Sequence, residues 1–390
     1  MSAAYLIAGA RTPIGQFLGS FANFSATDLG GVAIEHVLQR SGLDAQQIDE
    51  VIMGNVIQAG VGQAPARQAA LKAGLPETVA AVTINKVCGS SLKAVMLADQ
   101  AIRCGDAKAI VAGGMENMSM APHLISKVRK GVKLGDTTLV DAMVHDGLTC
   151  SFRSCHMGMH AEHITKKFNV SREAQDQYAI TSQLRAAAAI EASSFTEEIV
   201  PVKVPSRKGE QVYDADECIR PDSTIEGLAK LRTVFDSDGT VTAGNASTLS
   251  DGAAAVVVVD ETIAADADWK FKIVSHFTSG TAPEDLFIAP VFAIRGALEK
   301  ANMQMGDVDL FEINEAFASQ MVACINELEI DHAIVNVAGG GISLGHPIGA
   351  SGARILVTLM HALKTSQKRF GVAALCLGGG NAVAMVIEAV

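Results

Sequence analysis

The chain has 390 residues, 49% of them hydrophobic, a formal net charge of −11 and seven cysteines. Its length predicts two or three subdomains, and its acidic balance argues against general nucleic-acid binding, which needs a basic footprint. An odd cysteine count without a CxxC pair argues against both a disulfide framework and a zinc ribbon, and leaves reduced thiols as the expectation.

From the N-terminus, residues 4–7 read as an apolar strand and 28–38 as a helix with Leu29, Val32, Ala33 and His36 on one face. A strand at 51–53, a helix at 64–73, a strand at 82–85, a helix at 90–103 and a strand at 109–112 ending in Gly113-Gly114 follow. Alternation of this kind predicts a largely parallel, layered α/β unit. Residues 119–248 change character. Helical stretches such as 173–192 alternate with loops, and 15 Lys and Arg stand against 17 Asp and Glu, so most of the negative charge lies elsewhere. That segment reads as an insertion suited to an anionic ligand, or simply as a salt-bridged surface.

A buried strand returns at 248–259. The final stretch then repeats the opening theme: helix at 292–301, strand to turn at 310–314 with a helix from Glu315, strand at 334–337, helix at 350–363, and a strand at 372–377 running into glycines. The expected fold is therefore α/β, two similar layered halves from an internal duplication with an inserted loop domain. The boundaries expected are 1–118 plus 249–270, 119–248, and 271–390. Apolar runs stay far below the roughly 20 residues of a membrane span. The first residues lack the features of a signal or transit peptide, so the chain reads as cytoplasmic with no membrane partner.

Two cysteines stand out. Cys88 ends a strand and opens a helix, before Gly89-Ser90-Ser91, where a helix N-terminus would stabilise a thiolate and lower its pKa. A buried structural thiol is the commoner case, yet this position favours a nucleophile. Cys376 ends a second apolar strand and precedes Gly378-Gly379-Gly380, which allow close approach of backbone to a ligand. A base for such a thiol is found in Gly345-His346-Pro347, a histidine held in a glycine-dense turn that matches neither GxGxxG nor Walker A spacing. Asn314 is either a helix N-cap or an amide that supports a developing oxyanion. His156, His160 and His163 have the spacing of metal ligands on one helix face, but no carboxylate completes a set, so no metal is expected and His156 is assigned to a ligand pocket.

Five blocks in order carry a resemblance: Asn85-Lys86-Val87-Cys88, Gly113-Gly114-Met115-Glu116, Asn314-Glu315-Ala316-Phe317, Gly345-His346-Pro347-Ile348-Gly349 and Cys376-Leu377-Gly378-Gly379-Gly380. Together with Ala8-Gly9-Ala10-Arg11-Thr12-Pro13 they resemble the thiolase family, in its short-chain acetoacetyl-CoA branch, over essentially the whole chain. The resemblance implies a thiolase fold and a reversible Claisen condensation of two acetyl-CoA molecules through an acetyl-Cys88 intermediate. Under it His346 accepts the proton of Cys88, and Cys376 removes a proton from the second acetyl group. One oxyanion hole would use His346 and a water on Asn314, the other the amides of Cys88 and Gly378. CoA contacts would come from Leu148, His156, Met157, Arg220, Phe235, Ala243, Ser247 and Phe317. No cofactor would be bound permanently; CoA and acetyl-CoA are substrates, and a homo-oligomer, dimer or tetramer, is implied. The chain departs from the family at Leu286-Phe287, where mitochondrial relatives carry Phe-Pro. It departs again at Cys218, where they carry a potassium-binding Tyr, and at His163, which follows Ala161-Glu162 where Asn is usual.

Overall fold

Strands built from Val, Ile and Ala present apolar side chains on both faces, so each must be covered from both sides. In a computed structural model, which describes residues 3–207 and 209–390, they join one sheet. Its strands are β1 (Ala4–Arg11), β2 (Glu50–Gly54), β3 (Ala80–Ile84) and β4 (Ala109–Asn117). A separate ribbon comprises β5 (Thr149–Cys150) and β6 (Cys155–His156). The sheet resumes with β7 (Ser250–Asp260), β8 (Phe271–Gly280), β9 (Leu310–Ile313), β10 (Phe370–Leu377) and β11 (Asn381–Ala389). The principal helices are α1 (Ala26–Ser41), α2 (Pro65–Lys72), α3 (Ser90–Cys104), α4 (Met157–Lys167), α5 (Arg172–Glu191), α6 (Ala289–Ala301), α7 (Ala318–Leu328) and α8 (Ser351–Ser366).

Strand order along the main path is β9-β10-β11-β8-β1-β7-β4-β2-β3, and a tenth, two-residue strand at Gly15–Gln16 pairs with β7 off that path. Divided between β8 and β1, the two halves follow one plan. In the first, β2 pairs in parallel with β3 and β4, and β7 lies antiparallel between β4 and β1. In the second, β9 and β10 are parallel, and β11 lies antiparallel between β10 and β8. A single parallel bridge from Phe311 to Val335 stands where β3 lies in the first half. The duplication is thus visible in topology, but the expectation of a largely parallel sheet is corrected. The last strand of each half enters antiparallel, β11 by a turn in which Gly379 and Gly380 take φ of 89° and 88°. Such positive φ favours glycine.

Two further readings change. The strand expected at 334–337 reduces to the bridge at Val335, because Asn336 turns the chain with φ of 49°. The strand expected to stop at Gly113-Gly114 continues to Asn117. Those glycines lie inside it because a Cβ on Gly113 would strike the Ala254 carbonyl and one on Gly114 the Gly349 carbonyl.

Side-chain alternation builds the layers. Val257 and Val259 join the α1 and α2 side chains in one core, while Val256 and Val258 join α3 and α8 in another. In the second half, Ala373, Leu375 and Leu377 face that same α3/α8 core, and Val372, Ala374 and Cys376 face a third core with α6 and α7. Helices therefore form a central layer between the two halves and an outer layer on each. Among the described residues no helix is long and apolar enough to cross a membrane.

A buried cation ties the inserted segment to the first half. Arg11 Nε donates to Glu198 Oε1 at 2.6 Å, and its Nη1 and Nη2 donate to the two oxygens of Asp216 at 2.7 and 2.9 Å, with all three side chains essentially inaccessible. Removing the cation would strand two buried carboxylates, and breaking such a pair costs about 3–5 kcal/mol. The Arg11→Met protein is expected to lose that much stability, read as a lowered denaturant midpoint with an unchanged slope.

Candidate active site

The turn from β3 into α3 is tight and internally braced. The Lys86 amide donates to Ser90 Oγ at 2.8 Å, and the Ser90 hydroxyl donates to the Val87 carbonyl at 2.6 Å. Val87 is thereby held at φ of 48°, a conformation that strains a β-branched residue, and Cys88 follows it immediately. Gly89 caps the helix, and a Cβ there would strike Leu377 at the end of β10. The two strand ends that carry Cys88 and Cys376 therefore lie against each other.

In the second half the corresponding turn, marked by a bridge from Val337 to Gly339 as Lys86 to Cys88 marks the first, is expanded before α8 begins at Ser351. His346 lies in the expansion. Its amide donates to the Thr248 carbonyl at 3.1 Å, and its Nδ1 lies 2.5 Å from Ser351 Oγ. The Ser351 hydroxyl has its own acceptor in the Pro347 carbonyl at 2.9 Å, and the network therefore assigns the ring proton to Nδ1. That leaves the lone pair on Nε2, which Asn314 Nδ2 approaches at 3.4 Å. Asn314 is not the helix cap, since α7 starts at Ala318 with Phe317 in the cap position. Its buried Oδ1 meets no protein donor among the described residues.

Glu315 fixes this turn relative to the glycine loop. Its carboxylate accepts from Tyr178 Oη at 2.9 Å, Ser182 Oγ at 2.7 Å, Asn336 Nδ2 at 3.0 Å and the Ile342 amide at 3.1 Å. On the other side, Glu116 accepts from the amides of Val56, Ile57 and Gly349 and from Asn55 Nδ2. Two buried carboxylates thus brace the segment that carries His346.

Cys88, His346, Cys376 and Gly378 line one cavity of about 570 Å³. Leu148, His156, Met157, Arg220, Phe235, Ala243, Ser247 and Phe317 line the same cavity. Asn314 is the exception, standing behind His346 and not on the wall. His156 caps α4 by accepting from the Gly158 amide at 3.1 Å and stacks on Phe235 with centroids 4.6 Å apart. Phe235 meets Phe317 edge-on, and Phe317 meets Phe287 at 5.2 Å, forming a continuous aromatic wall. The other two histidines go elsewhere: His160 Nε2 lies 3.7 Å from Cys155 Sγ and His163 Nε2 lies 2.9 Å from Asp285 Oδ1. Among the described residues no group of His, Cys, Asp and Glu is placed to hold a metal ion.

Electrostatics reverses one expectation. Burial pushes the Cys88 thiol up to about 12, although the Gly378 amide and its own amide donate toward the sulfur. Burial likewise pushes Cys376 well above its ordinary value, the neighbouring Cys88 adding to the effect. His346 is pushed down to about 3, by burial first and then by Arg354. The helix start does not produce a resting thiolate, because Cys88 precedes the cap and loss of water outweighs the amide donors. At rest the pair is a neutral thiol and a neutral imidazole.

Sequence reasoning did not single out Ser351, and it named Val87 and Leu286-Phe287 only within family blocks, without placing them on the cavity wall. Ser351 follows His346 by five residues, at the first position of α8, and its hydroxyl becomes a partner only when that helix folds back.

Comparison with known proteins places the chain in a family. A family model described as the N-terminal domain of thiolase matches residues 4–262, and one described as the thiolase C-terminal domain matches 267–389. An acetyl-CoA acetyltransferase of Escherichia coli (strain K12) is 52% identical over 386 residues, covering 98% of both chains. One of Cupriavidus necator is 49% identical over 391 residues, covering 100% of both. The crystal structure of the Bacillus anthracis acetyl-CoA acetyltransferase superposes with a TM-score of 0.98 at 40% identity, covering 100% of this chain and 99% of that one. With two matched domains that together span nearly its whole length, this chain belongs to the thiolase family.

Proposed function

We propose that the protein is an acetyl-CoA C-acetyltransferase, joining two acetyl-CoA molecules into acetoacetyl-CoA and CoA, or running the thiolysis in reverse. The observation that carries this reading is the meeting of two thiols and one imidazole in a single apolar-walled cavity. Cys88 Sγ attacks the thioester carbonyl as its proton passes to His346 Nε2. The departing CoA thiolate takes the proton of Cys376. The Cys376 thiolate then removes a methyl proton from the second acetyl-CoA, and the carbanion attacks acetyl-Cys88. Collapse of that adduct returns the proton of His346 to Cys88, so every proton is accounted for.

The raised pKa of Cys376 suits this task, since only a strongly basic thiolate competes for a carbon-bound proton. Protonated His346, with a water held by Asn314, stabilises one oxyanion, and the amides of Cys88 and Gly378 stabilise the other. The CoA moiety lies along the wall contributed by the inserted segment, proposed as residues 119–248, with Arg220 toward its phosphates.

A broader 3-ketoacyl-CoA thiolase would use the same residues. Leu286, Phe287 and Phe317 close the wall with bulky groups and favour the shorter acyl chain. Thiolysis rates across 3-ketoacyl-CoAs of increasing length test the choice. A maximum at acetoacetyl-CoA supports the reading, and a maximum at long chains overturns it.

A further inference from the structure

The ribbon of β5 and β6 places Cys150 directly opposite Cys155, and both thiols are free. Opposed residues on antiparallel strands project to one face with Cα atoms about 4.5–5.5 Å apart. A disulfide needs about 4.4–6.8 Å between Cα atoms, so the cross-strand register sets the two backbones at a separation that a disulfide can span. Neither takes part in the acyl transfer proposed above.

Their surroundings differ in a useful way. Cys150 is 2% exposed, whereas Cys155 is half-buried. His160, in the first turns of α4, brings Nε2 to 3.7 Å from Cys155 Sγ. Burial and the nearby His163 lower the pKa of His160, so its ring is neutral at rest, as is the Cys155 thiol, whose pKa burial and Cys150 raise. At the ribbon tip Arg153 Nε donates to Glu284 at 3.2 Å, which holds the turn against residues 283–288. Flanking the pair, Leu148 and His156 face the cavity.

We propose that Cys150 and Cys155 form a reversible thiol–disulfide couple that accepts oxidising equivalents from a small-molecule disulfide. Cys155 passes its proton to His160 and attacks one sulfur of the small disulfide. That S–S bond breaks, and one small thiolate leaves, taking the proton. Cys150 then attacks Cys155 Sγ in the mixed disulfide and displaces the second small thiolate, which leaves with the proton of Cys150. Two protein thiols are oxidised by two electrons, and one small disulfide is reduced to two thiols. The order follows from exposure, because only Cys155 meets solvent. The bridge would lock the ribbon that holds His156, the last residue of β6, and Leu148, which immediately precedes β5, at the cavity.

The test uses the full-length protein incubated with glutathione disulfide, quenched in acid, unfolded, alkylated and digested with trypsin. Arg153 lies between the two cysteines, so digestion separates peptide 134–153 from peptide 154–166 unless a bridge joins them. The expected product is the joined pair, two hydrogens lighter than the sum of its parts, accounting for most of the Cys155 signal and released by dithiothreitol. Cys150→Ser is expected to trap a stable glutathione adduct on Cys155, and Cys155→Ser to leave Cys150 unmodified. The proposal is overturned if the wild-type peptides stay separate while Cys88 or exposed Cys104 takes up glutathione, or if a bridge forms only between Cys88 and Cys376. The wild-type peptide map decides the matter even if a serine variant folds poorly.

Discussion

Replacement of Cys88 by alanine is expected to lower acetoacetyl-CoA thiolysis by about 10⁴–10⁶-fold, the range seen when a nucleophile that works as part of a unit is removed. The loss should come without collapse of the protein. Cys88 sits on the cavity wall after a turn braced by Ser90 and closed by Gly89, and none of those contacts uses its sulfur. Stability is expected to stay within about 1 kcal/mol of wild type, as for changes that open no new core cavity and bury no new polar group. Two measurements check this: thiolysis rate and the intact mass after incubation with acetyl-CoA. Wild type should gain one acetyl group and the variant none. Turnover that persists in Cys88→Ala would remove the nucleophile assignment, whatever the mass shows.

The second large effect concerns Cys376. In Cys376→Ser the side chain keeps its shape, but the hydroxyl gives up its proton far less readily than a thiol. Condensation is expected to fall by about 10²–10⁴-fold, the usual contribution of a positioned acid–base group. Acetylation should survive, because Cys88 and His346 remain in place and CoA can depart as its thiolate and take its proton from water instead. The readout is a single burst of CoA release stoichiometric with enzyme, together with an acetyl group on the peptide that contains Cys88. A variant that fails to acetylate would show that Cys376 is needed before the carbon–carbon step, and the division of labour between the two thiols would have to be abandoned.

Local pattern revealed much of this molecule and concealed some of it for identifiable reasons. The helix read at 28–38 begins in fact at Ala26, after Ser25 and Asp28 close a capping box, a signal present in the sequence but not used. β8 and β11 went unread. β8 alternates buried and half-buried residues along an otherwise polar stretch, and β11 follows three glycines that look like an ending. Gly113 and Gly114 read as a stop because glycine usually punctuates. Their reason for being glycine is the carbonyls of Ala254 and Gly349, far away in the chain.

The site divides in the same way. Cys88 drew notice as a thiol at a strand-to-helix turn, His346 and Cys376 as residues in or before glycine-dense turns, and the structure brings all three to one cavity. The histidine ladder of α4 was legible as spacing only, and its members face Phe235, Cys155 and Asp285 in turn. The thiol's protonation state could not be read locally. A helix start is visible in six residues, whereas the burial that overrides it is produced by both halves of the sheet.

The seam between the halves has a further meaning for how activity is gained during folding. Cys88 descends from β3 in the first half, while His346 and Cys376 belong to the second, so neither half holds a complete chemical set. A chain with one half formed has Cys88 without His346, or His346 without Cys88. Catalysis is therefore an all-or-none property of the docked molecule, and it switches on only when the central helices α3 and α8 have packed together.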